Sequence, residues 1–312
     1  MIFSVLAIAL CYGVVLVNGF TDAPNSVATA IYTGAISQKR ALLLCSVFNF
    51  LGTVIASLFN SKIARFVFSL DEGKGQDSVV ACATLFSVII FSIGCWYFAL
   101  PSSESHALIS ALVGASFFKS NSPFLLKKVG YVFVFMVFSC VFAFIASYIS
   151  SRTIPKKILH KRTQILCCAL NSFMHGWQDG QKLIGIIATL LLVEFKAPFY
   201  IIISVAFTMA LGTLIGGKRI IKTLGSDLVS LNSHMATCSD LGSYVTLLAF
   251  SLFGAPLSTG NVKALAIIGA GKGNGGKINK KATIKVILTS IATFPLCFLL
   301  GYTAFAILKC CT

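Results

Sequence analysis

Residues Asn18–Ala30 read NGFTDAPNSVATA. The run before them, MIFSVLAIALCYGVVLV from Met1, carries no charge, and the chain turns apolar again afterwards. An aspartate, a proline and two asparagines between two apolar runs fit a surface turn of a soluble domain. They fit equally a break inside a membrane helix. The rest of the chain decides between the two.

Of the 312 residues, 57% are hydrophobic and only 11% charged, with a mean hydropathy of +0.90. A soluble domain carries roughly a quarter charged residues, so this chain cannot cover itself with a polar surface. Apolar runs recur that approach the roughly 20 residues needed to cross a bilayer. The expected fold is an all-α polytopic membrane protein with about 10–12 membrane segments. No Lys or Arg precedes the first apolar run, and Lys39 is the first basic residue. A signal peptide would carry one there, so the run is read as a retained segment, with the N-terminus outside the cytoplasm.

The net charge of +16 would suggest nucleic acid in a soluble protein. Here the basic residues sit in the short loops SSRTIPKKILHKR, GGKRIIK and GKGNGGKINKK, so they are read as setting membrane orientation and meeting anionic headgroups. The 11 cysteines form no C-x-x-C pair and read as small core residues rather than a metal or disulfide framework.

Apolar segments fall at 1–20, 24–36, 41–60, 79–100, 104–118 and 129–150, then at 164–177, 181–194, 198–215, 235–254, 257–271 and 284–308. Residues 1–150 form a first membrane repeat, 151–163 a basic cytoplasmic linker, and 164–312 a second repeat. Two motifs support the division. NGFTDAPN around Asp22 lies over HGWQDGQK around Asp179, 157 positions later, and PSSESHALISALVGA from Pro101 lies over PLSTGNVKALAIIGA from Pro256, 155 positions later. Segments too short to span alone, at matching places in two halves, point to a transporter binding site. An odd number of crossings per half would invert the second half, relating the two by a pseudo-two-fold axis in the membrane plane.

An ionised aspartate at mid-membrane costs about 2.5–3.5 kcal/mol on the insertion scale, and such residues usually line a polar cavity or a cation site. Asp22 would otherwise be a helix cap in an interfacial turn, with Pro24 opening the next helix; the matching Asp179 weighs against that. PSSESH and PLSTGN each precede an apolar helix, where hydroxyls and free N–H groups gather at a positive helix start. Two such starts from two inverted halves would cup one tetrahedral oxyanion. The plain alternative is a kinked helix whose hydroxyls satisfy its own backbone. His106 reads either as a proton shuttle or as a packed polar residue, and Glu104 as a cation ligand, a gate, or a favourable acid at a helix start. His175 and Trp177 pack beside the break, and Asp71, Glu72 and Asp77 belong to a solvated loop.

NGFTDAPNSVATA resembles the signature of the inorganic phosphate transporter family, often called PiT. SFMHGWQDGQKLIGII, PSSESHALISALVG and GTLIGGKRIIKTLG resemble three further family segments, in family order, so the likeness runs from about Asn18 to about Leu300. The resemblance implies a secondary transporter that moves phosphate with Na⁺ or H⁺ through a central site between inverted repeats. Residue by residue, it implies an anion site of Ser102, Ser103, Ser105, Ser258, Thr259, Asn25, Gln181 and Lys182. It implies cation binding or coupling at Asp22, Asp179, Asn49, Asp240 and Glu104, with Asp22 and Asp179 as the Na⁺ ligands if sodium is the coupling ion. The sequence departs from the family pattern at Glu104, at Gly260 and Asn261, and at Asn49, where animal members have a glutamate. The implied partners are inorganic phosphate, Na⁺ or H⁺ and the lipid bilayer; a homodimer is compatible with this, nucleic acid is not, and no cofactor is expected.

Some relatives carry sulfate, so a sulfate or other oxyanion permease stays open, as does an anion channel, which would show no coupling. A membrane enzyme is disfavoured: Ser103 and His106 share one short segment without a nucleophile turn, and duplication serves no purpose in that chemistry.

Overall fold

The computed structural model describes residues 2–59, 61–68, 77–100, 103–117, 123–158, 160–191, 197–216 and 221–310. Pro101, Ser102, Asp71 and Glu72 lie outside the described residues. The first half runs α1 (Ile2–Thr21), a 3₁₀ turn (Ala23–Ser26), α2 (Ala28–Tyr32), α3 (Gln38–Phe59), α4 (Lys62–Phe68), α5 (Ser78–Tyr97), α6 (Glu104–Ser116) and α7 (Pro123–Thr153). The second runs α8 (Lys161–His175), a π turn (Gly176–Gly180), α9 (Gln181–Leu190), α10 (Phe199–Ile215), a second π turn (Thr223–Asp227), α11 (Ser233–Leu252), α12 (Thr259–Gly273) and α13 (Lys280–Cys310).

Polar and apolar surfaces are inverted relative to a soluble protein. On α3, Leu43, Val47, Leu51, Ile55 and Leu58 face outward at near-helical spacing, while Ser46, Asn49 and Thr53 are buried. Apolar side chains on the outside and hydrogen-bonding ones within suit a bundle dissolved in lipid. Among the described residues, five helices are long and apolar enough to cross a membrane: Ile2–Ser26, Gln38–Phe59, Ser78–Tyr97, Val129–Thr153 and Lys280–Cys310. The short helices α6 and α12, with 13 and 15 residues, reach about 20 Å at 1.5 Å per residue, less than the ~30 Å hydrocarbon core.

The halves correspond element by element. α7 and α13 have 31 residues each, and α6 and α12 each begin at an N-capping serine, Ser103 and Ser258. Packing is reciprocal: α1 lies on α10 and α3 on α8, α7 on α12 and α13 on α6. Where two helices pack, their counterparts pack as well, which is what a two-fold relation requires.

Contacts along the helices fix the direction. α3 and its counterpart α10 run antiparallel, with Leu42 over Gly216, Ser46 Oγ donating to Ala210 O and Thr53 beside Met209. α1 runs parallel to α10, from Tyr12 Oη on Ser204 Oγ at 2.6 Å to Gly19 on Gly212. α8 and the turn after it run parallel to α3, from His175 on Asn49 to Gly180 on Thr53. Both α1 and α3 thus oppose their counterparts, and the second half is the first turned upside down.

The two aspartate motifs break their helices differently. Pro24 lacks an N–H, so α1 gives way to a 3₁₀ turn in which Asn25 N donates to Asp22 O at 3.0 Å and Val27 N to Pro24 O at 3.2 Å. HGWQDGQK has no proline, and the apolar pieces expected at 164–177 and 181–194 join through the π turn into one helical run. π turns of this kind recur at functional sites.

Candidate functional site

The starts of α6 and α12 meet in the middle of the bundle. Ser105 Oγ, in the first turn of α6, donates to Leu257 O, just before α12, at 2.7 Å. Lys182, in the first turn of α9, ties both to the π turn. Its Nζ donates to Asp179 Oδ1 at 2.5 Å, to Ser105 Oγ at 2.6 Å and to Leu257 O at 2.6 Å. Three acceptors around one ammonium satisfy all of its donors, as burial at 4% exposure demands.

Asp179 is held on its other oxygen too. Thr259 Oγ1 donates to Oδ2 at 3.2 Å and Asn18 Nδ2 at 3.4 Å. His175 Nε2 lies 3.1 Å from Oδ2 without the alignment of a hydrogen bond. Asn18 also bonds Glu104 Oε2, so one amide links the α6 carboxylate to the second-half aspartate. His175 Nδ1 meets Asn49 Oδ1 at 3.1 Å, and Asn49 Nδ2 donates to Thr213 Oγ1 at 3.1 Å. Asn49 therefore stands one residue removed from Asp179.

Asp22 and Asn25 line a cavity of about 10 Å³, with Ser26, His175, Thr259 and Lys263 among its other walls. That is about the room one water needs. Asp22 Oδ1, Asn25 Oδ1, Asn25 Nδ2 and Ser243 Oγ are buried without a protein partner. Buried polar atoms are nearly always satisfied, so these four give the cavity unused hydrogen-bonding capacity, both donor and acceptor. Asn25 is the counterpart of Lys182, so the cavity and the ammonium are the two halves' versions of one position.

Ser103 Oγ accepts from His106 N at 3.2 Å and Ser258 Oγ from Asn261 N at 3.3 Å. Both act as caps on their own helices, and each keeps its hydroxyl proton to donate. His106 packs its ring on Phe294 at 4.6 Å between centroids. Gln181 faces away, its Oε1 accepting from Ala64 N of α4 at 3.4 Å. Asp240, on α11, belongs to a second cluster. Lys263 Nζ meets its Oδ1, Thr29 Oγ1 donates to the same oxygen at 2.8 Å, and Cys168 Sγ donates to Oδ2 at 3.1 Å. Among the described cysteines, Cys168 and seven others are buried and none is paired.

The structure thus brings Ser105, Thr259, Glu104, Asp179 and Lys182 together, with Asp22 and Asn25 next to them. Asn18, His175, Thr29, Cys168 and Lys263 were not among the site residues read from the sequence. The signal available for them was polarity in an apolar run, most of all for Lys263, a charge in the middle of NVKALAIIGA.

The sequence model described as the phosphate transporter family matches the chain twice, over residues 18–164 and 150–301. A probable low-affinity inorganic phosphate transporter of Rhizobium meliloti is 33% identical over 86% of this chain and 84% of its own. A probable low-affinity inorganic phosphate transporter of Bacillus subtilis is 28% identical over 99% of this chain and 98% of its own. A solved structure titled as the sodium-dependent phosphate transporter superposes with a TM-score of 0.85 over 99% of both chains at 18% identity, a likeness of fold. Matched in both halves and along nearly its whole length, this multi-pass integral membrane protein belongs to the phosphate transporter family.

Proposed function

We propose that this protein carries inorganic phosphate across the membrane together with Na⁺ or H⁺. The supporting observation is the knot at Lys182, where one ammonium binds Asp179, Ser105 and Leu257 O at the meeting of two helix starts. Positive helix ends, hydroxyls and an ammonium suit a tetrahedral oxyanion. Carboxylates close by suit the cation or proton that travels with it.

In this reading Ser103 and Ser258 donate to the anion, with Ser105 and Thr259, whose protons go to Leu257 O and Asp179 here, and Asn25 and Lys182 beside them; Ser102 precedes Ser103 in sequence. Gln181, turned to α4, belongs to the wall. Asp22, Asp179 and Glu104 serve the coupling ion, Asp22 and Asp179 as ligands where it is Na⁺; Asn49 and Asp240 act from one residue further out. Phosphate carries at least one proton at pH 7 and sulfate none. A carboxylate facing the anion accepts that proton from phosphate and repels sulfate, which favours phosphate.

The two inverted repeats, 1–150 and 164–312, exchange conformations to expose the site to one side and then the other. The basic linker 151–163 lies in the cytoplasm, since Arg152 on Gly273 O and His234 on Ile154 O gather it with the basic loop before α13 at one end of the bundle.

Labelled phosphate uptake into proteoliposomes, with Na⁺ and H⁺ gradients imposed separately, tests the reading. Saturable uptake driven by one gradient and not competed by sulfate is expected. Uptake that follows the phosphate gradient alone makes the protein a channel, and competition by sulfate makes it a broader oxyanion permease.

A further inference from the structure

The phosphate and coupling residues proposed above leave Lys263 without a task, yet by volume Lys263 heads the fully buried side chains among the described residues. Its ammonium meets Asp240 Oδ1. The same carboxylate accepts from Thr29 Oγ1 and Cys168 Sγ, and Asn171 Nδ2 holds the Asp240 carbonyl at 2.6 Å. Lys263 also lines the cavity that Asp22, Asn25 and Thr259 share. The pair is therefore contiguous with the site, and one helical turn of α12 separates Lys263 from Thr259, which binds Asp179.

Charge sets the problem. Among the described residues the interior buries four carboxylates, Asp22, Glu104, Asp179 and Asp240, and two lysines, Lys182 and Lys263. Lys182 sits on Asp179 and Lys263 on Asp240. An isolated buried carboxylate is too costly to keep ionised and draws in a cation, from solution or from a side chain. The two sources neutralise alike, but a tethered ammonium cannot leave with the substrate.

We propose that Lys263 is a built-in cation: it fills a monovalent cation position at the Asp240 carboxylate and so makes the number of cations carried with each phosphate one lower than the carboxylates alone would hold. This deepens the symport reading and rests on it. Asp22 and Glu104, which carry no lysine, and the Oδ2 side of Asp179 are left for the mobile cation.

The test replaces the tether and offers the ion. Lys263→Gln, purified in detergent, is melted in NaCl and in choline chloride beside the wild type and the Lys263→Gln/Asp240→Asn double variant. The single variant is expected to gain a stabilisation by Na⁺ larger than the wild type shows, since a ligand that binds only the folded form raises its melting point. The double variant should return to the wild-type response. In proteoliposomes the single variant should take up phosphate with a steeper Na⁺ dependence, its Hill coefficient rising by about one. Equal Na⁺ responses in the single variant and the wild type overturn the proposal. A single variant that folds in neither salt overturns it as well, because Na⁺ would then have failed to replace the ammonium. Wild-type protein that takes up no phosphate defeats the symport reading instead, while the melting comparison still decides whether Asp240 binds Na⁺.

Discussion

At the scale of single residues, Lys182 and Asp22 bear opposite loads. Lys182 satisfies a carboxylate, a hydroxyl and a carbonyl, so Lys182→Met strands Asp179 in the interior and should cost about 3–5 kcal/mol, the usual loss when one partner of a buried pair is removed. Adding Asp179→Asn should restore much of that, because the stranded charge is gone; thermal melting of both variants measures it. Asp22 Oδ1 has no protein partner, so Asp22→Asn should keep the fold and lose nearly all phosphate uptake. Normal uptake by that variant makes Asp22 a structural turn residue. Ser103 and Ser258 are caps whose protons stay available. On the proposed reading, alanine at either removes a bond to the charged anion, of about 1.5–3 kcal/mol, and should weaken phosphate roughly 10- to 100-fold, while Ser103→Thr keeps cap and donor and should transport normally. Unchanged phosphate dependence in both alanine variants moves the anion elsewhere. The aspartates and the capping serines were legible in the sequence because each recurs at one offset. Lys263 and Asp240, Thr29 and Cys168 do not recur; they meet through packing across 23 to 211 positions, and no local pattern carries that.

At the scale of helices, close approach does the work that a hydrophobic core does in water, since lipid is as apolar as leucine and small residues are what let backbones touch. Gly52 of α3 faces the Phe173 carbonyl and the Trp177 amide, and Gly176 faces the backbone of Asn49. A methyl at Gly52 meets backbone, which cannot swing aside, so Gly52→Ala should destabilise by about 1–3 kcal/mol and loosen the turn that holds Asp179. Gly94 in α5 has open space around it; Gly94→Ala should be neutral or stabilising by up to about 1 kcal/mol. Melting curves of the two, and the loss of uptake in the first alone, check this contrast. The element pattern was largely visible beforehand, down to the two short helices after the Pro-Ser motifs. The join between α8 and α9 was not. A polar stretch between two apolar pieces looks the same in sequence whether it breaks a helix or merely widens it, and only the absence of proline in HGWQDGQK favoured the π turn.

At the scale of the molecule, inversion and charge together support the proposed orientation in the membrane. α3 and α10 are counterparts that run in opposite directions, so the ends of the two halves alternate between the two faces of the membrane. Thr33 bonds Gln164, Arg152 bonds Gly273 O and Val229 bridges Ile278. These contacts collect the turn before α3, the linker and the loop before α13 at one end, with Arg152, Lys156, Lys157, Lys161, Arg162, Lys277, Lys280 and Lys281. The opposite end joins Ser4 to Ser78 and Lys62 to Leu252 O. In the proposed orientation, with the basic loops in the cytoplasm, Lys157 lies inside and Lys62 outside. In a background lacking Cys310 and Cys311, Lys157→Cys should react with a membrane-impermeant maleimide only after the cells are opened, and Lys62→Cys in intact cells. The reverse pattern turns the protein over but leaves the inversion standing. Labelling of both from one side overturns the assignment of Lys62 and Lys157 to opposite ends of the bundle.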